Sequence, residues 1–452
     1  MSENERYERK ARQLRVLSEA LESGRLAPVR RMLDTLTPGE IARVLESLPP
    51  AKRSVVWGLV DPDDDGEVLV HVADEVRDGL LAEMDSEELR SALTTLDVDD
   101  LADLVDDLPS QLTEELLRGM DREHRDRLEQ VLSYPEDSAG RLMNTDVVTV
   151  RADVEVDVVL RYLRMRGELP GHTDHLFVVN RGGRYIGRVA LTALLTSDPD
   201  RTIAEIVDDS WPARLASSSL AHVAELFENH RQVSAPVIDA DNRLVGRITV
   251  DDVIDLVRER AEHDLMSMAG LTEEQDMFAP VALAARRRMI WLGLNLCTVF
   301  ISASVIGEFV ATLEQIVALA VLMPVVASMG GVAGTQTLTL IVRGLALGQV
   351  SWDNARDLLK REAAIGGLNG LLCATAIAAV AWVWFGDLRI SAVIAAAIVI
   401  NLLAAALSGV LVPLLLKRLA IDPALAGGVI LTTVTDVVGF MAFLGLGTLF
   451  LL

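Results

Sequence analysis

From about residue 289 to its end, this 452-residue chain is a succession of apolar stretches. They fall at about 289–311, 315–342, 363–385, 390–416 and 425–452. Each is near or above the ~20 residues that a helix needs to cross a bilayer's hydrocarbon core. Backbone polar groups have no water to bond in that core, so each stretch must satisfy them internally as a helix. A wholly water-soluble fold is excluded, and the C-terminal part is expected to be polytopic, with five spans.

The overall charge of −24 hides a division. Residues 280–452 hold eight acids and ten bases, whereas residues 1–279 hold 58 acids and 32 bases. A domain that acidic repels nucleic acid and anionic lipid and attracts cations. Cys297 and Cys373 both lie in apolar stretches, so no disulfide framework or zinc knuckle is available. The N-terminus, MSENERYERKARQ, carries no signal-peptide pattern, and residues 1–279 are expected in the cytoplasm.

Residues 1–133 read as helices only. Apolar residues recur at three- and four-residue spacings in IARVLESL, LADLVDDL and EELLRGM. Breaks such as LTPGE, DPDDDG and MDSEE separate them and supply Ser, Thr or Asp caps, which suggests stacked helical hairpins. DPDDDG opens like a calcium loop, but its twelfth position is Val72 rather than Glu, so it reads as a solvated turn. His172 and His175, flanking Asp174 before a strand, read as surface residues.

From Asn144 to about Arg260 a strand–helix–hairpin–helix unit occurs twice. The first copy contains VVTV, VEVDVVLRYLRMRG and HLFVVNRGGRYIGRVA; the second contains ARLA, LAHVAELFENHR and APVIDADNRLVGRITVDDVIDLV. This resembles a tandem pair of CBS domains, modules that often bind adenine nucleotides. Their Gly-x-x-Thr/Ser-x-x-Asp signal is present in the second copy as Gly246, Thr249 and Asp252. The first copy has Gly187, Ala190 and Ala193, without either polar group. The resemblance therefore implies one half-site for ATP at Thr249 and Asp252, which otherwise serve to cap the closing helix. A charged helix from about Asp251 to Met268 leads on to the apolar region.

Loop charge gives orientation. Arg286–Arg288 precede the first span, Arg343, Arg356, Lys360 and Arg361 separate the second and third, and Lys417 and Arg418 separate the fourth and fifth. The alternate loops hold Glu308 and Glu314, then Asp387 with Arg389. The N-terminus is expected inside and the C-terminus outside a cell membrane.

One carboxylate stands in the fifth stretch: Asp436, in LTTVTDVVGF, about twelve residues in and near the expected bilayer centre. An intramembrane acid costs several kcal/mol unless it is paired or faces water, so it is a candidate functional group. Thr432 shares its helix face and Thr435 is adjacent. A carboxylate, hydroxyls and backbone carbonyls near Gly427 and Gly428 are hard oxygen ligands. They suit Mg2+, which keeps most of its waters and needs one or two carboxylates. A proton or Na+ site is the rival chemistry, and pinning a neighbouring helix through a hydroxyl is the structural alternative.

Five motifs then occur in a fixed order: YPEDSAGRLM at Tyr134–Met143, TVDDVIDLV at Thr249–Val257, MGGVAGTQTLTLIVRGLALG at Met329–Gly348, IDPALAGG, and LTTVTDVVGF ending at Phe440. With the domain order, they make the chain resemble the MgtE family of magnesium channels over nearly its whole length. The implied architecture is an all-α superhelical N domain (1–133), an α/β tandem CBS unit (134–203 and 204–260), a connecting helix (251–279) and a five-helix membrane domain (280–452). The resemblance implies a homodimer with one pore on its axis, Mg2+ as the transported and regulating ion, and Asp436 coordinating it. Thr432, Thr335 and Asp422 are the accompanying pore candidates. Asp99 and Asp103 match acids that bridge through Mg2+ to Asp252, Asp255 and Asp264. Nucleic acid is not an expected partner, and no P-loop, catalytic triad or metalloprotease motif marks an enzyme.

The chain departs from the family pattern in two places. Val332 and Thr335 stand where asparagines are usual, and Gly427 and Gly428 where Ser or Asn is common, which bears on discrimination among divalent ions. Ser219, Ala221, Arg231, Arg260 and His263 replace acids of the regulatory face. With Arg258 they suggest that Arg–carboxylate contacts partly replace Mg2+ bridges. Two other readings stay open: the same fold selective for Mn2+, Co2+ or Na+, and a membrane-anchored metal or nucleotide sensor that conducts nothing.

Overall fold

A computed structural model describes residues 17, 19–21, 23, 26–94, 96–108, 113, 117–271 and 276–452. The polar N-terminus and part of EELLRGM lie outside these residues. The chain divides into two compact units, Met1–Ala261 with Glu274–Ala279, and Glu262–Glu273 with Pro280–Leu452.

In the first unit the leading helices are α1 (Leu26–Leu33), α2 (Pro38–Glu46), α3 (Pro50–Trp57), α4 (Asp65–His71), α5 (Asp74–Leu81), α6 (Ser86–Thr94), α7 (Val98–Asp107) and α8 (Arg122–Leu132). Their boundaries reflect local chemistry. Thr37 and Glu40 form a capping box at the start of α2, and Asp121 accepts the His124 amide at the start of α8. DPDDDG is not wholly a solvated turn. Asp65 opens α4 and is partly buried, and burial and Glu88 push its carboxyl up to about 6.

A short helix, α9 (Ala139–Leu142), leads into two copies of one fold. The first comprises β1 (Thr149–Arg151), α10 (Val156–Arg166), β2 (His175–Val179), β3 (Tyr185–Ala190) and α11 (Leu191–Thr196). The second comprises β4 (Arg214–Leu215), α12 (Leu220–His230), β5 (Ser234–Ile238), β6 (Leu244–Thr249) and α13 (Val250–Ser267). In each sheet the first strand pairs parallel with the second and the second antiparallel with the third. Both hairpins shift register at the same place, between Val178 and Val179 and between Val237 and Ile238. His175 sits on β2 with its side chain only 18% exposed and 2.7 Å from Asp174, so it is not a surface residue, whereas His172 is. Leu45, Leu69, Leu101 and Leu128 of the helical part belong to the same buried cluster as Val237 and Ile248 of the second copy. Each fully buried side chain of that size contributes about 1.5–3 kcal/mol, which fuses these parts into one core.

Among its described residues the second unit has five helices long and apolar enough to cross a membrane. They are α14 (Val281–Gly307), α16 (Val317–Ala346), α17 (Ala355–Phe385), α18 (Leu388–Arg418) and α19 (Pro423–Leu451), with a short α15 (Val310–Gln315) after the first. The helices extend beyond the apolar windows: α14 already contains Arg286–Arg288, and α17 contains Arg356, Lys360 and Arg361. Long basic side chains reach toward water while the helix backbone continues, so charge does not end the helix. Helix α18 is the most buried of the five and α14 the least.

Asn401 of α18 is completely buried and donates from Nδ2 to the Val326 carbonyl of α16 at 2.8 Å. It fits only because Gly330 of α16 and Gly439 of α19 lack side chains. A Cβ on Gly439 would lie 2.7 Å from Asn401 Nδ2, and one on Gly330 would collide with the same atom. Three helices therefore meet on one amide.

Candidate functional site

Asp436 lies midway along α19, partly exposed on this single chain. No side chain or backbone group among the described residues bonds to or pairs with it. The adjacent Thr435 is fully buried and donates to the Thr432 carbonyl at 3.0 Å. Thr432 donates to the Gly428 carbonyl at 3.0 Å, and Thr335 of α16 to the Gly331 carbonyl at 2.9 Å. Each hydroxyl proton is spent on its own helix, a common arrangement for Thr in an apolar helix. What remains outward is oxygen lone pairs, which suit a cation.

Thr335 and Thr432 both line a cavity of about 380 Å³, with Thr339, Asn295 and Gly428. Met268, Ala269 and Gly270, just beyond the end of α13, also line it. Asp436 lies one turn further along α19 and is not part of that lining. Asp422 is also outside it and caps α19, accepting the Ala424 amide on Oδ1 at 2.9 Å. The other carboxylate oxygen of Asp422 is buried without a hydrogen bond, and His263 Nε2 stands 3.6 Å from it.

Glu362 is a second carboxylate in this unit that sequence reasoning did not single out. It sits on α17, 8% exposed, and accepts a hydrogen bond from Thr337 of α16 at 3.1 Å. Its signal in the sequence is faint, because it comes directly after a cluster of bases that resembles a loop.

In the first unit, α7 faces α13. Asp99 is buried, and Asn144 donates to it at 3.3 Å and to Asp97 at 3.1 Å. Burial, then Asp100 and Asp252, hold the Asp99 carboxyl well above the usual range. Burial with Asp252 and Asp97 nearby pushes Asp100 up to about 7, and burial also raises Asp252 to about 6. Glu259 is raised by burial and then by Asp103 and Asp255. Asp99, Asp103, Asp252 and Asp255 thus come together, joined by Asp97, Asp100 and Glu259, which the sequence reading missed. Asp264 belongs to the other unit. Among the described residues no three His, Cys, Asp or Glu side chains form a metal cluster by themselves. Arg258 makes a 3.3 Å ion pair with Asp255, and α13 thereby supplies its own counter-charge there.

Thr249 donates from its amide and its hydroxyl to Asp252 Oδ2, at 3.1 and 2.7 Å, and so caps α13. With that proton committed, the pair offers acceptors only. This suits ribose hydroxyls.

Comparison with known proteins matches successive stretches of the chain to three family patterns. The family pattern described as "MgtE: Divalent cation transporter" matches residues 323–446, "MgtE intracellular N domain" matches 36–137, and "CBS domain" matches 139–200 and 215–259. The "Magnesium transporter MgtE" of Thermus thermophilus is 30% identical over 441 residues, covering 96% of this chain and 98% of that protein. The Bacillus subtilis protein of the same name is 28% identical over 431 residues, covering 95% and 96%. A solved structure described as "Crystal structure of the cytosolic domain of the Mg2+ channel MgtE in complex with ATP" is 32% identical. It covers 53% of this chain and 98% of its own, with a TM-score of 0.49. With a helical domain, a CBS pair and five apolar helices in that order, matched over nearly its full length, the chain belongs to the MgtE family of divalent cation transporters.

Proposed function

We propose that this protein conducts Mg2+ across a cell membrane through a pore on the axis of a homodimer, with Asp436 of each subunit as the central ligand. The observation that carries this reading is the mid-helix carboxylate that has no partner among the described residues. A second copy and a hydrated cation supply what it lacks, and an intramembrane acid is otherwise hard to sustain. Thr432 and Thr335 contribute hydroxyl oxygens along the approach, where an ion that retains its waters needs acceptors rather than a closed shell. Asp422 shapes the entry as the cap of α19. The loop bases favour a cytoplasmic N-terminus and an extracytoplasmic C-terminus.

The acidic faces of α7 and α13 supply the regulation. Carboxylates held this close repel one another, and Mg2+ between Asp99, Asp103, Asp252 and Asp255 relieves that repulsion and draws the helical and CBS parts together. The Arg258–Asp255 pair supports a gate with fewer ion bridges than an all-acidic face would have. A nucleotide at Thr249 and Asp252 is a further ligand of this face, held through its ribose.

A second reading, selectivity for another divalent ion, is favoured by one observation: the exposed positions Val332 and Thr335 offer no amide oxygen. Liposome flux of Mg2+, Mn2+, Co2+ and Ca2+, compared between wild type and Asp436→Ala, tests both. The proposal predicts Mg2+ flux that the substitution abolishes. Undiminished flux in Asp436→Ala refutes the role of the carboxylate, and preference for Mn2+ or Co2+ transfers the conclusion to the second reading.

A further inference from the structure

Residues 276–279, just before the first membrane helix, are held on the helical domain by a buried ion pair. Asp276 Oδ2 lies 2.8 Å from Arg53 Nη2, and the two side chains are 5% and 6% exposed. Arg53 is fixed from its other side, donating from Nε to the Leu45 carbonyl and from Nη2 to the Leu48 carbonyl, both at 3.0 Å. Those carbonyls lie at the end of α2, where a cation is favoured by the helix dipole. The Asp276 amide donates to Glu75 Oε2 at 2.7 Å, in the first turn of α5. Asp276 also organises the next three residues: its Oδ1 accepts the Phe278 amide at 2.8 Å and its carbonyl accepts the Ala279 amide at 3.1 Å. Pro280 comes next and caps α14.

A surface pair of this kind would matter little, since exposed ion pairs contribute about 0–1 kcal/mol. This pair is enclosed, and removing one partner of an enclosed pair leaves a buried charge uncompensated. The bonds also come from two different places, the α2–α3 corner and α5, onto one four-residue segment. Met277, in contrast, is 89% exposed and takes no part.

We propose that Arg53 and Asp276, with Glu75, form a latch that ties the helical domain to the start of α14. Displacement of that domain either breaks the ion pair or pulls on the first membrane helix through a single residue, Pro280. Arg53 and Asp276 are positioning residues for the gate, and touch no ion in the pore. The coupling clause rests on the gating reading above; the latch itself does not.

Two measurements on the full-length protein separate these. Hydrogen exchange of the amides of residues 276–279 reads the latch. Arg53→Met keeps the apolar stem of the side chain and leaves the Asp276 turn chemically intact. It should lower protection there about 100-fold, the size expected for an uncompensated buried charge at a tenfold change per 1.4 kcal/mol. Asp276→Asn should act in the same direction, and the double variant should lose less than the two singles together. Met277→Ala, in the same segment, should leave protection unchanged. Mg2+ flux in liposomes, with and without excess Mg2+ on the side of the helical domain, reads the coupling, and Arg53→Met should shrink the difference between the two conditions. Unchanged protection in Arg53→Met, or additive losses, overturns the latch. Lost protection with the Mg2+ response intact overturns the coupling. A wild type that ignores Mg2+ refutes the gating reading instead, and exchange alone then decides the latch.

Discussion

Replacing Gly439 by alanine tests how closely the helices beside Asp436 are fitted. The added Cβ would lie 2.7 Å from Asn401 Nδ2, where carbon and nitrogen need about 3.5 Å. Asn401 is fully buried and cannot swing into open space, and turning it aside gives up its bond to the Val326 carbonyl. That bond contributes about 1 kcal/mol, and overpacking of this size costs about 1–3 kcal/mol in a close-packed interior. If α19 backs away instead, Asp436, three residues earlier on the same helix, moves by a similar ~0.8 Å, the shortfall in that contact distance. We expect a lower Tm in detergent and about a tenfold weaker apparent affinity for Mg2+ in liposome flux, which corresponds to about 1.4 kcal/mol. Adding Asn401→Ala removes the atoms that collide and should recover part of the affinity. Wild-type Tm and flux in Gly439→Ala, or no recovery in the double variant, would refute this account of the packing.

Three other outcomes rest on named contacts. Asp65, raised to about 6 chiefly by burial, binds its proton more tightly folded than unfolded, so it lowers stability as pH rises from about 4 to about 6 and by a constant amount above that. The shift corresponds to about 3 kcal/mol, reduced to roughly 1 because the group is partly exposed; Asp65→Asn should raise Tm at pH 8 and leave it unchanged at pH 4, and equal effects at both would contradict this. Asp422→Ala removes the cap of α19 and should cost about 1 kcal/mol, whereas Asp422→Asn keeps an acceptor and should cost a few tenths; Tm measured on both variants checks the order. Glu362→Ala removes the partner of Thr337 and should cost about 0.6–1.7 kcal/mol, the range for hydrogen bonds between membrane helices, with Glu362→Gln retaining most of it; identical Tm for the two variants would show that the bond contributes nothing.

Features that depend on neighbours along the chain could be read from the sequence. Five apolar runs gave five helices, and two copies of a strand–helix pattern gave two sheets that share even the position of a bulge. Helix ends are less legible: α14 begins at Val281 although its apolar stretch starts near 289, because hydropathy marks the apolar part and not the helix that continues beyond it. The proposed pore ligand, Asp436, was visible because a lone acid in an apolar helix needs an explanation. Asn401 and Glu362 were not, since their reasons are glycines and a threonine on other helices. Asp100 against Asp252, and Arg53 against Asp276, join residues far apart in the chain whose proximity no local pattern encodes.

The central claim concerns Asp436. A density map of the full-length protein in a lipid disc with Mn2+, whose anomalous or elemental signal distinguishes it from water, tests it most directly. The account predicts a homodimer with ion density on the two-fold axis, flanked by the Asp436 carboxylates of both subunits. Asp436 side chains directed away from that axis, with the ion held elsewhere, would contradict it.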